Sequence, residues 1–232
     1  MNTLANILFL DIETVAQEAD YENLSERSKT LWEKKSNQWR KETSVEDSYE
    51  RAGIYAEFGK IICISVGTIV KGTLHIKSFY GDEEVVVLKQ FKESLTKFSS
   101  NRNARLCAHN GKEFDFPYLC RRMLINGIGL PKLLQIQGKK PWEIPFLDTL
   151  DLWRFGDYKN YTSLDLLCHI FDIPTPKQDI NGSQVGNIYW QENGLDRIVN
   201  YCEADVVALT QLYLKMQGMD LLKEENIRFI SE

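Results

Sequence analysis

The stretch Ile7-Leu8-Phe9-Leu10-Asp11-Ile12-Glu13-Thr14 decides how this chain folds. Four apolar residues run straight into an acid-x-acid pair, the pattern of a buried central strand whose last residues carry carboxylates out of the core. Side chains alternate along a strand, so Asp11 and Glu13 point the same way. Two neighbouring carboxylates repel each other unless cations sit between them, which makes a metal site the natural reading. A strand that ends in a polar turn produces the same pattern. The choice between the two rests on partners further along the chain.

At 232 residues the chain is long enough for one well-buried core, and a single domain spanning 1–232 is expected. Its 28 basic and 33 acidic residues give a net charge of -5, which argues against a nonspecific nucleic-acid coat. A nuclease is not excluded, because metal-binding carboxylates themselves make the count more acidic. Cys63, Cys107, Cys120, Cys168 and Cys202 are odd in number, lie mostly in apolar segments and form no C-x-x-C pair. They read as small core residues in a reducing compartment. No basic segment precedes Ile7–Leu10, so no signal peptide is expected, and the run Ile61–Val70 is too short and too interrupted to cross a bilayer. The expectation is a cytoplasmic protein with no membrane partner.

Residues 17–51 are crowded with charges and read as a helical insertion. Asn23-Leu24-Ser25-Glu26 has the spacing of a capping box, and Leu24, Leu31, Trp32 and Trp39 follow at helical intervals. An aromatic stripe of this kind more often packs a core, but Trp32 and Trp39 could instead stack on nucleobases. Ser44–Ser48 reads as a mobile loop. Lys60–Val70 and Thr73–Phe79 read as strands joined at Lys71-Gly72, followed by a helix with Val85, Leu88, Phe91, Leu95 and Phe98 on its buried stripe. A strand at Arg105–Ala108, a helix at Phe114–Asn126 and a fifth strand at Phe146–Leu150 come next. Thr162 or Ser163 can cap a helix through Phe171, Pro174–Gly186 reads as a loop, and a long helix spans Leu195–Met216. The tail after Asp220 is expected to pack as a short extra segment. Arg121, Arg122, Lys132, Lys139 and Lys140 fall in a stretch free of acids, which is either a solvated face or a landing strip for phosphates.

This order suits a mixed five-stranded sheet with helices on both faces, an α/β fold. In the last long helix Tyr201 and Asp205 are four apart, on one face at the rim of the apolar stripe, where both could act on one water. Three stretches then stand out together: Phe9-Leu10-Asp11-Ile12-Glu13-Thr14, His109-Asn110-Gly111-Lys112-Glu113-Phe114-Asp115-Phe116-Pro117-Tyr118-Leu119, and Tyr201-Cys202-Glu203-Ala204-Asp205. Together they resemble the DEDD superfamily of 3′–5′ exonucleases, which have an RNase H-like fold. The likeness is closest to the proofreading domain of family B DNA polymerases, in the tyrosine-bearing branch, because the histidine of the other branch would fall at Asn200.

By that resemblance Asp11, Glu13, Asp115 and Asp205 hold two divalent ions, Mg²⁺ or Mn²⁺, and Tyr201 orients the attacking water. Ile12, through its backbone, and Thr14 would contact the terminal nucleotide, while Asn110 and Phe114 would line the groove beside the penultimate base. Gln17 stands where relatives often carry an apolar wedge. The chain is too short for a polymerase palm and fingers, so the resemblance implies a stand-alone relative. It implies hydrolysis of single-stranded nucleic acid, DNA before RNA, from its 3′ end to nucleoside 5′-monophosphates. A repair or replication protein is conceivable as a partner, but none is indicated.

Two rival readings use the same residues. Leu10-Asp11-Ile12-Glu13-Thr14 approximates the strand-end motif of aspartate-nucleophile phosphatases, for which Gly156-Asp157 is the sole late acidic candidate. The other rival is a catalytically silent nucleic-acid or protein binding module on the same fold. Asp148 and Asp151 also lie near a strand end, where hydrogen-bonding support is their expected role.

Overall fold

Six strands form one mixed sheet in the computed structural model, whose described residues are 4–174 and 180–230. They are β1 (Ile7–Ala16), β2 (Gly59–Val70), β3 (Thr73–Tyr80), β4 (Arg105–Ala108), β5 (Phe146–Asp148) and β6 (Ile227–Phe229). The helices are α1 (Glu26–Ser36), α2 (Val45–Ser48), α3 (Glu84–Phe98), α4 (Asp115–Ile125), α5 (Thr149–Arg154), α6 (Leu164–Ile170), α7 (Val185–Glu192) and α8 (Leu195–Met216). The spatial order is β5-β4-β1-β2-β3-β6, which puts β1 inside the sheet. β2 runs antiparallel to both of its neighbours, β1 and β3, whereas β4, β5 and β6 each pair in parallel. The expected five strands become six, because part of the tail pairs with the otherwise open edge of β3. Three residues are too few to show a period of two, so backbone pairing rather than side-chain pattern makes this strand.

The alternation along β1 sorts the core into two layers. Leu8, Leu10 and Ile12 pack with Leu88 and Phe91 of α3 and with Phe116 and Leu119 of α4. Ile7 and Phe9 pack with Val206, Leu209 and Tyr213 of α8, and the Phe9 ring meets that of Tyr213 edge-on at 5.5 Å. α8 comes close to the sheet over Gly67, where an added Cβ would lie 2.9 Å from a Val206 methyl. The hairpin between β2 and β3 turns on Lys71 and Gly72, both at positive φ, the geometry of a two-residue turn that matches strand twist.

The insertion is more ordered than its charge suggested. Ser25 caps α1 by accepting from the Ser28 amide, so the cap lies two residues beyond Asn23. Ser44 likewise accepts from the Asp47 amide and starts α2, so the expected loop at Ser44–Ser48 is a capped helical turn. Trp32 is fully buried, with edge-on rings from Trp39, Tyr49, Tyr55 and Phe58 around it, and its indole N–H reaches Ser48 Oγ at 3.1 Å. Trp39 is stacked on Tyr55 and covered by Arg51. Both tryptophans are therefore packing residues, with no ring face left for a nucleobase.

Two further corrections concern the second half. The strand expected to reach Leu150 stops at Asp148, whose side chain accepts from the Leu150 amide and starts α5. Of the expected loop at Pro174–Gly186, residues 175–179 lie outside the described ones, and α7 already begins at Val185 after a turn capped by Asn181. All five cysteines are free thiols, four of them buried. No helix among the described residues is long and apolar enough to cross a membrane.

Candidate active site

The Glu13 end of β1 carries the first two acids. Asp11 sits opposite Ser65 and Glu13 opposite Cys63 on β2, and the register then slips by one residue between Glu13 and Thr14. Both carboxylates belong to the face that α8 covers. α8 presents Cys202 there, and single ligand atoms of Asp11, Glu13 and Cys202 all lie within 4.8 Å of one another. The thiol donates to Asp11 Oδ2 at 3.3 Å. Sequence reading treated Cys202 only as core filling, and its contact with an acid 191 residues away leaves no local signal.

α4 delivers the third acid from the neighbouring side. Asp115 is the first residue of that helix, is 4% exposed, and accepts a hydrogen bond from the Ile12 amide of β1. A carboxylate at a helix N-terminus meets favourable N–H dipoles. Burial nevertheless dominates and lifts its pKa from 3.8 to about 7. Asp205 and Tyr201 arrive together on α8, and the Tyr201 hydroxyl donates to the Asp205 carboxylate. Burial, with Asp205, Glu13 and Asp11 around it, holds that phenol protonated far above the usual range.

Electrostatics tie the acids into one locus. Asp11 is raised well above an ordinary carboxyl by burial first, then by the charges of Asp205 and Asp115. Glu13 is raised by burial, then by Asp11 and Asp205. Among the described residues, no lysine or arginine forms an ion pair with Asp11, Glu13 or Asp115. Asp11, Glu13 and Asp115, the last of which raises the pKa of the other two, pair with no lysine or arginine among the described residues and are a donor set that fits divalent cations, which prefer oxygen ligands. The arrangement has the composition of a metal centre.

Around the acids, the chain fixes the remaining candidates. Thr14 hydrogen-bonds the Tyr118 phenol, which in turn donates to Gly53 O at 2.7 Å. Asn110 adopts the left-handed conformation, its amide donates to Asp148 Oδ1 at 2.9 Å, and its buried side-chain oxygen has no protein partner. Phe114 precedes α4 with its ring centroid 5.3 Å from that of Tyr118. Asp148 also accepts from the Lys112 amide at 3.0 Å, so one buried acid holds the Asn110–Phe114 loop against the end of β5. Asp151 pairs with Lys112 and Arg154. Both acids thus support the loop. Gln17, the residue after β1 on the same end as Glu13, is tied by its backbone amide to Phe58 O at 2.8 Å.

Two expectations do not fit. Arg122 cannot belong to a phosphate landing strip, because it is buried and clamps Glu84 of α3 with two nitrogens while a third meets Ala56 O. Gly156-Asp157 lies in the turn after α5, not at a strand end, so it does not supply the acidic motif that a phosphatase needs.

Comparison with known proteins agrees with this architecture. The chain is similar in structure to the family B DNA polymerase from the hyperthermophilic archaeon Pyrobaculum calidifontis, with a TM-score of 0.62 and 16% sequence identity. The similarity covers 91% of this chain but 24% of the polymerase, and at that identity it establishes a shared fold of the RNase H-like type. No curated protein gives a significant match. A family model described as "Predicted 3'-5' exonuclease related to the exonuclease domain of PolB" matches residues 54–228, from just before β2 into β6. The match spans most of the chain, and the protein belongs to this predicted exonuclease family.

Proposed function

We propose that the protein is a metal-dependent 3′–5′ exonuclease that hydrolyses single-stranded nucleic acid, DNA in preference to RNA, and releases nucleoside 5′-monophosphates. The observation that carries this reading is the convergence of Asp11, Glu13 and Asp115 with the Tyr201–Asp205 pair at one buried locus. Asp11, Glu13, Asp115 and Asp205 would hold two Mg²⁺ or Mn²⁺ ions, four carboxylates against four positive charges. When bound, such ions supply Lewis-acid charge on both sides of the scissile phosphate.

The rest is work for the chain itself. Tyr201 stays protonated, so its hydroxyl can donate to Asp205 and hold a water by the oxygen's remaining lone pair. That fixes the water's line of approach to phosphorus. Thr14, held by Tyr118, and the Ile12 backbone border the place for a terminal nucleotide. Asn110 and the Phe114 ring border the place for the next one.

The test is digestion of 5′-labelled single-stranded DNA and RNA oligonucleotides with Mg²⁺ or Mn²⁺, comparing wild type with Asp11→Ala. A ladder that shortens from the 3′ end, lost in the variant and in EDTA, is expected, with DNA cut faster. An intact strand that folded protein still binds under either metal would replace this reading with that of a silent binding module.

A further inference from the structure

The turn after α5 displays aromatic rings in a way that packing does not explain. Phe155 caps the helix in the left-handed conformation, with φ 45° and ψ 33°, and its side chain is 91% exposed. A bulky residue is strained there, and an exposed phenyl gains nothing from burial in return. Gly156, which tolerates that conformation, is the very next residue, also at positive φ. Tyr158 and Tyr161 follow at intervals of three and are 72% and 64% exposed.

Of these rings Tyr161 stands nearest the proposed nuclease centre. Tyr161 meets the His109 ring edge-on at 6.3 Å, and its phenol is raised by burial, then by the charges of Asp115 and Asp148. His109 is pinned on both sides, by Thr149 Oγ1 at 2.9 Å and by Thr162 O at 2.9 Å. Arg154 lies over the Tyr158 ring at 5.7 Å and reaches Glu113 of the Asn110–Phe114 loop. Arg154 and Lys112 also neutralise Asp151. What the turn offers a ligand is therefore flat ring faces, with Asp157 and Lys159 of opposite charge between them, a combination in which the rings and not net charge would hold the bases of a flexible strand.

We infer that Phe155, Tyr158 and Tyr161 form a stacking platform for the bases of single-stranded nucleic acid upstream of the cleaved bond. The inference rests on the exonuclease reading for the strand's direction, and for its place on Tyr161 against His109 and on Arg154, which joins the Tyr158 ring to the Asn110–Phe114 loop. Stacking accepts any base, so the platform confers grip rather than sequence preference.

Fluorescence anisotropy of a labelled oligothymidylate in EDTA tests it without hydrolysis. Phe155→Ala, Tyr158→Ala and Tyr161→Ala should each raise Kd by about tenfold, while Tyr158→Phe and Tyr161→Phe retain binding because the ring remains. Phe155→Gly should weaken binding and yet raise the thermal midpoint, since it removes backbone strain. A triple alanine variant that binds as tightly as wild type, or a wild type that does not bind, would overturn the platform. So would a lowered midpoint in Phe155→Gly, which would make the ring a packing residue. Wild-type hydrolysis of thymidine 5′-p-nitrophenyl phosphate with Mn²⁺ reports separately on the centre. Ring-dependent binding without that hydrolysis would sink the exonuclease reading and leave the platform standing.

Discussion

Tyr201 and Asp115 give the sharpest expectations at the scale of single residues. Tyr201→Phe keeps the ring and removes the hydroxyl that meets Asp205, so exonuclease kcat should fall by about a hundredfold or more with little change in KM. An unchanged kcat would remove Tyr201 from the reaction. Asp115 makes a prediction about stability. Its pKa rises from 3.8 to about 7 on folding, so between those values the folded protein keeps a proton that the unfolded chain has released. Stability of the metal-free protein should therefore decline as pH rises through that window, and Asp115→Asn should flatten the slope. Urea titrations in EDTA across the window would show the trend, and a rise with pH would contradict it. Asp11 with Glu13 and Tyr201 with Asp205 were legible in the sequence because the periods of strand and helix are local. Cys202 was not, because its meaning lies in an acid on β1 that only the fold brings to it.

Among elements, the Glu84–Arg122 clamp joins α3 to α4 and, through the Ile61 amide, to β2. Breaking one side of a buried pair strands the other charge, so Glu84→Ala should cost about 3–5 kcal/mol. Urea unfolding measures this directly, and a loss near zero would mean that Arg122 finds water or another acceptor. The same clamp explains a misreading. In a one-dimensional string Arg122 is one cation in a basic run, and only the packing of α4 on α3 turns it inward. Helix starts suffered similarly. Ser25, Ser44 and Asp148 cap their helices through side-chain contacts of two or three residues, and propensity alone misplaces such boundaries.

At the scale of the whole molecule, the insertion has a core of its own. Trp32, Tyr49 and Ala52 cluster apart from the two layers that flank the sheet. Trp32→Ala should cost about 3 kcal/mol, and hydrogen exchange should quicken over 26–54 while β1 and β2 stay protected. Exchange that spreads evenly across the sheet would show one cooperative unit instead. The sheet and its flanking helices were readable from hydrophobic periods; the tail strand was not, since its partner β3 lies far away in sequence. The position of β1 also sets an order of assembly. Its acids are made before the helix that faces them, which lies 191 residues later at the point of contact. A chain still emerging from the ribosome can lay β1 against β2 and β3, but it carries no complete acid cluster until α8 docks. The proposed cutting centre is therefore silent until the chain has been made through Asp205 and α8 has docked.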